Sequence, residues 1–174
     1  MIIKYPQDKE LLKNIKAGDV VKFSGVIYTA RDAAHLRIEK MVKAGDNLPV
    51  NFKESFIYYA GPTPTKPGNV IGSIGPTTSS RMDNFAYLMP ELGVVATIGK
   101  GPRNDECTNF YINNKILYFI TTGGCGALLS KSVKSAKEIA FLDLGPESIK
   151  KLEVENFTMI CAIDYYGNNI FGGK

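Results

Sequence analysis

Apolar, β-branched runs recur along this chain at residues 19–29, 55–60, 70–74, 94–98 and 116–121, and each gives way abruptly to a turn carrying charge, hydroxyls or glycine. The turns hold Arg31-Asp32, Gly61-Pro62, Gly75-Pro76-Thr77, Gly99-Lys100-Gly101-Pro102 and Gly123-Gly124-Cys125-Gly126. β-Branched and aromatic residues fit a pleated, half-buried surface, and helix-patterned segments follow several of the turns, so strand-loop-helix units are predicted. With no internal repeat and no linker composition in 174 residues, these units specify a single α/β domain with a mixed central sheet.

The spacing of Leu11, Leu12 and Ile15 predicts a short amphipathic helix or turn over 8–15. A helix is predicted over 32–43, with Gly45 as its C-cap. Residues 81–90 read as a helix stopped by Pro90, and 127–133 as another. The last third predicts a strand over 139–142, a short helix opened by Pro146-Glu147 and a strand over 157–163. The glycine-rich stretch 165–174 is expected to be mobile or held by a partner.

One histidine, His35, and three separated cysteines, Cys107, Cys125 and Cys161, narrow the chemistry. Zinc and iron-sulfur sites draw ligands from close pairs such as C-x-x-C, and the chain has none, so no self-contained metal site is expected. An odd, scattered cysteine set points away from a disulfide framework and towards a reducing compartment. The N-terminal MIIKYPQDKELLKN has no apolar signal segment, and no window approaches roughly 18 uninterrupted apolar residues, which predicts a cytoplasmic chain off the membrane. A net charge of +4, spread without basic runs, suits small anions and gives no argument for nucleic acid.

The densest polar cluster is Gly75-Pro76-Thr77-Thr78-Ser79-Ser80-Arg81-Met82-Asp83, with consecutive hydroxyls ahead of a helix and an arginine in its first turn. Free N–H groups at a helix start, hydroxyl donors and a guanidinium are the ingredients of a carboxylate or phosphate site. A helix N-cap with spare hydroxyls uses the same residue types. Arg31 opens a helix against its dipole, which an anionic ligand would offset, as would a pair with Asp32 or another acid. His35, one turn on, either faces that ligand or is a satisfied, partly buried ring, and the second reading is favoured.

Lys100 sits between Gly99 and Gly101, where the backbone can approach a ligand and the ammonium can act as a point charge; a surface-turn lysine is the plain alternative. The Gly123 to Gly126 run lacks both phosphate-loop spacings and is assigned to tight turning and close packing. A nucleophilic Cys125 is thinly supported in a chain with one histidine. Arg31, the Thr77 to Arg81 cluster and Lys100 together suit a dicarboxylate, yet no general base or electrophile is evident. The residues by themselves give half of an active site.

Arg31-Asp32-Ala33-Ala34-His35, then Tyr58-Tyr59-Ala60-Gly61-Pro62-Thr63-Pro64, then Gly75-Pro76-Thr77-Thr78 with Arg81-Met82-Asp83, then Gly99-Lys100-Gly101 closely resemble, in order and spacing, the β subunit or C-terminal domain of iron-sulfur (class I) fumarate hydratases and L(+)-tartrate dehydratases. The resemblance covers essentially the whole chain, so 1–174 is expected to be one domain of this β type, with a swivelling β/β/α architecture. It implies a separate α subunit carrying a [4Fe-4S] cluster whose open iron acts as a Lewis acid on the departing hydroxyl, a hetero-oligomer, and no cofactor bound by this chain. The implied reaction is reversible dehydration of a 2-hydroxy dicarboxylate, (S)-malate to fumarate first, with tartrate to oxaloacetate as the alternative. A non-catalytic dicarboxylate-binding assembly module is the alternative from another class. The resemblance gives Arg31, Arg81 and Lys100 as carboxylate-binding cations, Thr78 as a substrate hydrogen-bond donor and Thr77 as the residue that takes the C3 proton. Ser79-Ser80 departs from the family pattern, where small residues such as Ala-Gly are common.

Overall fold

The structure, a computed structural model, describes residues 1–172. Seven strands form one mixed sheet: β1 (Ile2–Lys4), β2 (Val20–Thr29), β3 (Phe56–Tyr58), β4 (Ala96–Gly99), β5 (Leu117–Ile120), β6 (Val133–Ala140) and β7 (Ile149–Ile163). The helices are α1 (Asp32–Ala44), α2 (Leu88–Glu91), α3 (Asp105–Asn113) and α4 (Gly126–Ser130), with 3-10 turns at Lys9–Asn14, Ser79–Phe85 and Leu142–Glu147. Strands β2, β3, β4 and β5 run parallel in that order. The long β7 pairs antiparallel with both β5 and β2, so these five strands close on themselves into a ring. β1 and β6 lie outside it, along β2 and β7.

Successive strand residues point to opposite faces, and here each face meets a different core. Phe56, Tyr58, Ala96, Ile98, Leu117 and Phe119 gather with Phe23 and Phe157 inside the ring. Ile57 and Tyr118 face outward and pack with Ala34, Ile38, Cys107 and Tyr111 of α1 and α3. Burial on both faces is why these strands read as unbroken apolar runs, as parallel strands covered by helices do.

Most of the predicted units are present, with several ends and several assignments corrected. Gly45 takes the left-handed φ of 73° expected of the α1 C-cap. The 8–15 segment is a 3-10 turn. Residues 70–74 form no strand: Ile71 and Ile74 are buried as a plug against the ring core, and the Ile74 carbonyl accepts from the Tyr58 hydroxyl at 2.8 Å instead of pairing in the sheet. Residues 81–90 are not one helix: 81–85 belong to the Ser79–Phe85 3-10 turn, and Pro90 stops nothing but is the third residue of the separate α2, where a first-turn N–H has no partner to lose.

The helix expected over 127–133 ends at Ser130. The strand expected at 139–142 is the end of the longer β6, and Phe141, at φ 56°, turns the chain out of it. The Leu142–Glu147 stretch is two short turns separated by a kink at Gly145 (φ 56°), with Pro146-Glu147 in the second of them as expected, and β7 starts at Ile149, well ahead of 157. The C-terminal stretch folds back on its own chain, with Tyr166 donating to the Lys13 carbonyl at 2.7 Å and Ile170 N–H to the Ala162 carbonyl at 3.0 Å; residues 173–174 lie outside the described residues. No helix among the described residues is long and apolar enough to cross a membrane.

Candidate active site

The C-terminal ends of β2, β3 and β4 share one end of the sheet, the end at which α/β sheets present ligand-binding loops. Beyond β3 and β4 the chain from Pro76 to Ser79 inserts as a wedge. Thr77 N–H donates to the Tyr59 carbonyl at 2.6 Å, Lys100 N–H to the Thr77 carbonyl at 3.2 Å, and Ser79 N–H to the Lys100 carbonyl at 2.9 Å. Thr77, Thr78 and Lys100 are thereby held in one patch by backbone bonds.

The run of hydroxyls divides into two roles. Ser79 is fully buried, and its Oγ lies 2.8 Å from the Tyr118 hydroxyl, which lies 2.7 Å from the Gly101 carbonyl. A carbonyl can only accept, so Tyr118 donates to Gly101 and accepts from Ser79. Thr78 occupies the N-cap position of the Ser79–Phe85 turn without a side-chain cap bond. Capping therefore does not account for Thr78, which is exposed, or for the half-buried Thr77.

Arg31 is the residue before α1, with its side chain only 22% exposed. Its Nη2 lies 3.6 Å from a carboxylate oxygen of Asp32 and 3.6 Å from one of Glu147, while its Nε is buried without a partner. Both acids sit beyond hydrogen-bond reach, so they balance the guanidinium without using up its donors. Glu147 also accepts from Ala33 N–H at 2.9 Å, capping α1 from the β6–β7 connection. Arg81 Nε donates to Asp32 Oδ1 at 2.9 Å, and Asp32 Oδ2 is buried without a hydrogen-bond partner. The Arg81 side chain is 53% exposed, and such pairs contribute only about 0.2–1 kcal/mol, so a ligand carboxylate can replace Asp32 at little cost.

Arg31 and Arg81 thus meet on one aspartate, and Gly61, after β3, lies against Arg31: a Cβ there would stand 3.3 Å from Nη1. Among the described residues Lys100 has no ion pair, and its Cδ lies beside Gly123. The Gly123 to Gly126 segment packs as expected, since a Cβ on Gly126 would stand 2.5 Å from Ser73 Oγ and 2.7 Å from Gly75 N.

His35 does not face the site. It is fully buried against Tyr59 and Phe85, with Nδ1 2.8 Å from the Arg31 carbonyl and Nε2 unpartnered, so the ring is only half satisfied. Burial pushes its pKa down to about 4, partly opposed by the hydrogen bond to the Arg31 carbonyl and assisted by the charge of Arg103. A folded pKa below the unfolded one means that the unfolded chain binds more protons between about 6.5 and 4. The His35 contribution to stability is therefore complete above about pH 6.5 and is lost as pH falls towards 4. The single imidazole resonance is expected to titrate near pH 4 by NMR; titration near 6.5 would contradict this burial.

Sequence reasoning missed a buried pair behind the patch. Arg103 Nε donates to the Asp83 carboxylate, whose other oxygen accepts from Asn104 N–H at 2.9 Å. The guanidinium lies 5.5, 4.9 and 5.3 Å from the ring centroids of Tyr59, Tyr111 and Tyr118. Arg103-Asn104 directly after the Gly99 to Pro102 turn is the only local sign of it, and nothing in the sequence pairs it with Asp83.

The residues of this chain do not fit an iron-sulfur cluster, which needs thiolates gathered at one point. Cys107 and Cys161 are buried, with thiols pushed up to about 12 by burial, and among the described residues no three His, Cys, Asp or Glu side chains form a metal-ligand group.

The family described as Fumarase C-terminus matches residues 2–173. A Methanocaldococcus jannaschii protein with the provisional name L(+)-tartrate dehydratase subunit beta is 43% identical over 169 residues, covering 94% of this chain and 87% of that protein. Fumarate hydratase 2 of Leishmania major is 38% identical over 173 residues, covering 97% of this chain but 30% of that protein. The L(+)-tartrate dehydratase subunit beta of Escherichia coli K12 is 34% identical over 178 residues, covering 97% of this chain and 85% of that protein.

Proposed function

This chain belongs to the fumarase C-terminus family, and from that premise we propose that residues 1–174 are the β-type part of a hydro-lyase that reversibly dehydrates a 2-hydroxy dicarboxylate, with (S)-malate to fumarate as its reaction. The observation that carries this reading is the gathering of three cations, Arg31, Arg81 and Lys100, and two uncapping threonines, Thr77 and Thr78, at one end of parallel strands. Two guanidiniums about a shared carboxylate, with an unpaired lysine on the turn bonded to the Thr77 segment, suit a ligand bearing a carboxylate at each end.

In this assignment Arg31, Arg81 and Lys100 bind the carboxylates and Thr78 donates to the substrate. Thr77 Oγ takes the C3 proton. The electron pair of that C–H bond forms the C2=C3 bond, the C2 hydroxyl leaves with the C–O pair and takes up a proton from solvent to depart as water, and Thr77 then releases the C3 proton to solvent, so protons balance and no oxidant or reductant is needed. A threonine hydroxyl is a poor base unless deprotonated, so this role requires activation by nearby cations or by a carboxylate of the α partner. An α partner with a [4Fe-4S] cluster supplies the rest of the site in this reading, and the three free cysteines support a reducing, cytoplasmic setting.

Co-expression with an α chain of the matching type, anaerobic cluster reconstitution and ultraviolet detection of fumarate from malate test the reading; turnover of neither malate nor tartrate would sink it. In that complex Arg81→Lys, which keeps the charge and loses the bidentate fork, is expected to lower kcat/KM about tenfold. A second reading, tartrate to oxaloacetate, draws support from likeness: the Methanocaldococcus jannaschii protein named for tartrate dehydration is 43% identical to this chain, against 38% for the Leishmania major fumarate hydratase. A side-by-side substrate panel separates the two.

A further inference from the structure

We propose that the buried Arg103–Asp83 pair is the device that fixes Arg81 relative to Lys100, making both members positioning residues for carboxylate binding; the substrate named in the test rests on the hydro-lyase reading above. The two cations stand on separate pieces of chain, Arg81 on the Ser79–Phe85 turn and Lys100 on the turn that follows β4. A ligand gripped by both requires that the separation of these pieces be held. Asp83 lies two residues after Arg81, and Arg103 three residues after Lys100. One carboxylate oxygen of Asp83 takes Arg103 Nε and the other takes the Asn104 amide, so the second turn grips it on both sides.

Packing alone does not require a charge pair at this position. The Arg103 side chain is fully buried, its Nη1 reaches Tyr59 and Tyr111 hydroxyls only at 3.4 and 3.3 Å, and its Nη2 has no partner. A buried donor left unmade is costly, and apolar replacement of both members of a buried pair is often neutral or stabilising. What the pair adds is direction: a carboxylate held by Arg103 Nε on one oxygen and by the Asn104 amide on the other allows one orientation of the Ser79–Phe85 turn, where apolar contact would allow several. Tyr118, between Ser79 and Gly101, joins the same two pieces at their other end.

The test is the double variant Asp83→Asn with Arg103→Met. It retains an acceptor for the Asn104 amide, fills the tyrosine cage and leaves no unpaired charge. In the reconstituted complex, loss of positioning is expected to raise KM for malate about fivefold or more with kcat within about twofold, because the two cations hold groups that do not react. A merely structural role would reduce the fraction of active enzyme, lowering apparent kcat at unchanged KM. In the full chain, the Ser79 and Lys100 amides are expected to exchange with deuterium at least about tenfold faster than in wild type. A folded double variant with wild-type KM and wild-type amide protection overturns the proposal. If the wild-type complex turns over neither malate nor tartrate, the hydro-lyase reading fails, and amide exchange decides the positioning role alone: faster exchange supports it and unchanged exchange overturns it. Should the double variant not fold, Arg103→Lys, which keeps the charge and loses the Nε donor to Asp83, is read by the same two measurements with the same outcomes.

Discussion

Thr77→Ala in the reconstituted complex is expected to lower kcat by about a hundredfold or more while KM for malate stays within about threefold. The segment carrying Thr77 is fixed through its backbone, by the Tyr59 carbonyl on one side and the Lys100 amide on the other, so removing the hydroxyl leaves the wedge in place. Arg31, Arg81 and Lys100 keep their positions, and ground-state binding survives. Only the hydroxyl proposed to take the proton is lost. Thr77→Ser, which retains a hydroxyl, should keep most of the rate. Equal losses in binding and turnover for Thr77→Ala would instead mark Thr77 as a binding residue and favour the assembly-module reading.

Gly99→Ala is expected to act on stability and activity together. A Cβ at this last residue of β4 would fall well inside van der Waals contact of Ser79 Oγ and 3.0 Å from Tyr59 Cδ2. Ser79 cannot step aside, because it is fully buried, bonded through its amide to the Lys100 carbonyl and through its hydroxyl to Tyr118. The wedge must lift from the end of β4, breaking the bonds that place Thr77 beside Lys100. Overpacking of this kind costs about 1–3 kcal/mol, which in a chain of this size lowers Tm by roughly 3–10 °C. Thermal melting and malate turnover check both parts. Adding Ser79→Gly should recover part of the stability, and an unchanged Tm with unchanged turnover for Gly99→Ala alone would show that the wedge is not pinned as described.

What the sequence made legible follows from which interactions are local. Apolar runs ending in turns mark β2 to β5, because burial on both faces is a property of the run itself. Gly45 marks the end of α1 for the same reason, since a left-handed residue is a local requirement. Residues 70–74 mislead because a buried plug and a strand need the same residue types. α3 has weak apolar spacing, yet Asn104 accepting from the Cys107 amide at 2.7 Å, with Asp105 and Glu106 in the first turn, is a start signal that was there to be read. β1 is a three-residue edge strand and has too little pattern to detect.

In the site, Arg31, Thr77, Thr78, Arg81 and Lys100 each follow an apolar run and could be picked out singly. Their companions could not. Glu147 reaches Arg31 from more than a hundred residues away, and Asp83 finds Arg103 only through the turn after β4. Pairings made by tertiary placement leave no trace in local spacing.

The ring closed by β7 also sets an order of assembly. Val20 pairs with Ile160 and Thr29 with Lys150, so the first strand of the ring waits for the fifth, more than a hundred residues further along. Contacts of such sequence separation fold slowly, and during synthesis the β2 and β5 edges stay unpaired until β7 leaves the ribosome. Glu147, which caps α1 beside Arg31, arrives at the same moment. A nascent chain cut short before Ile149 therefore carries Arg31, Thr77, Thr78, Arg81 and Lys100 and none of the closure that arranges them, so anion recognition should emerge only once β7 has paired with β2 and β5.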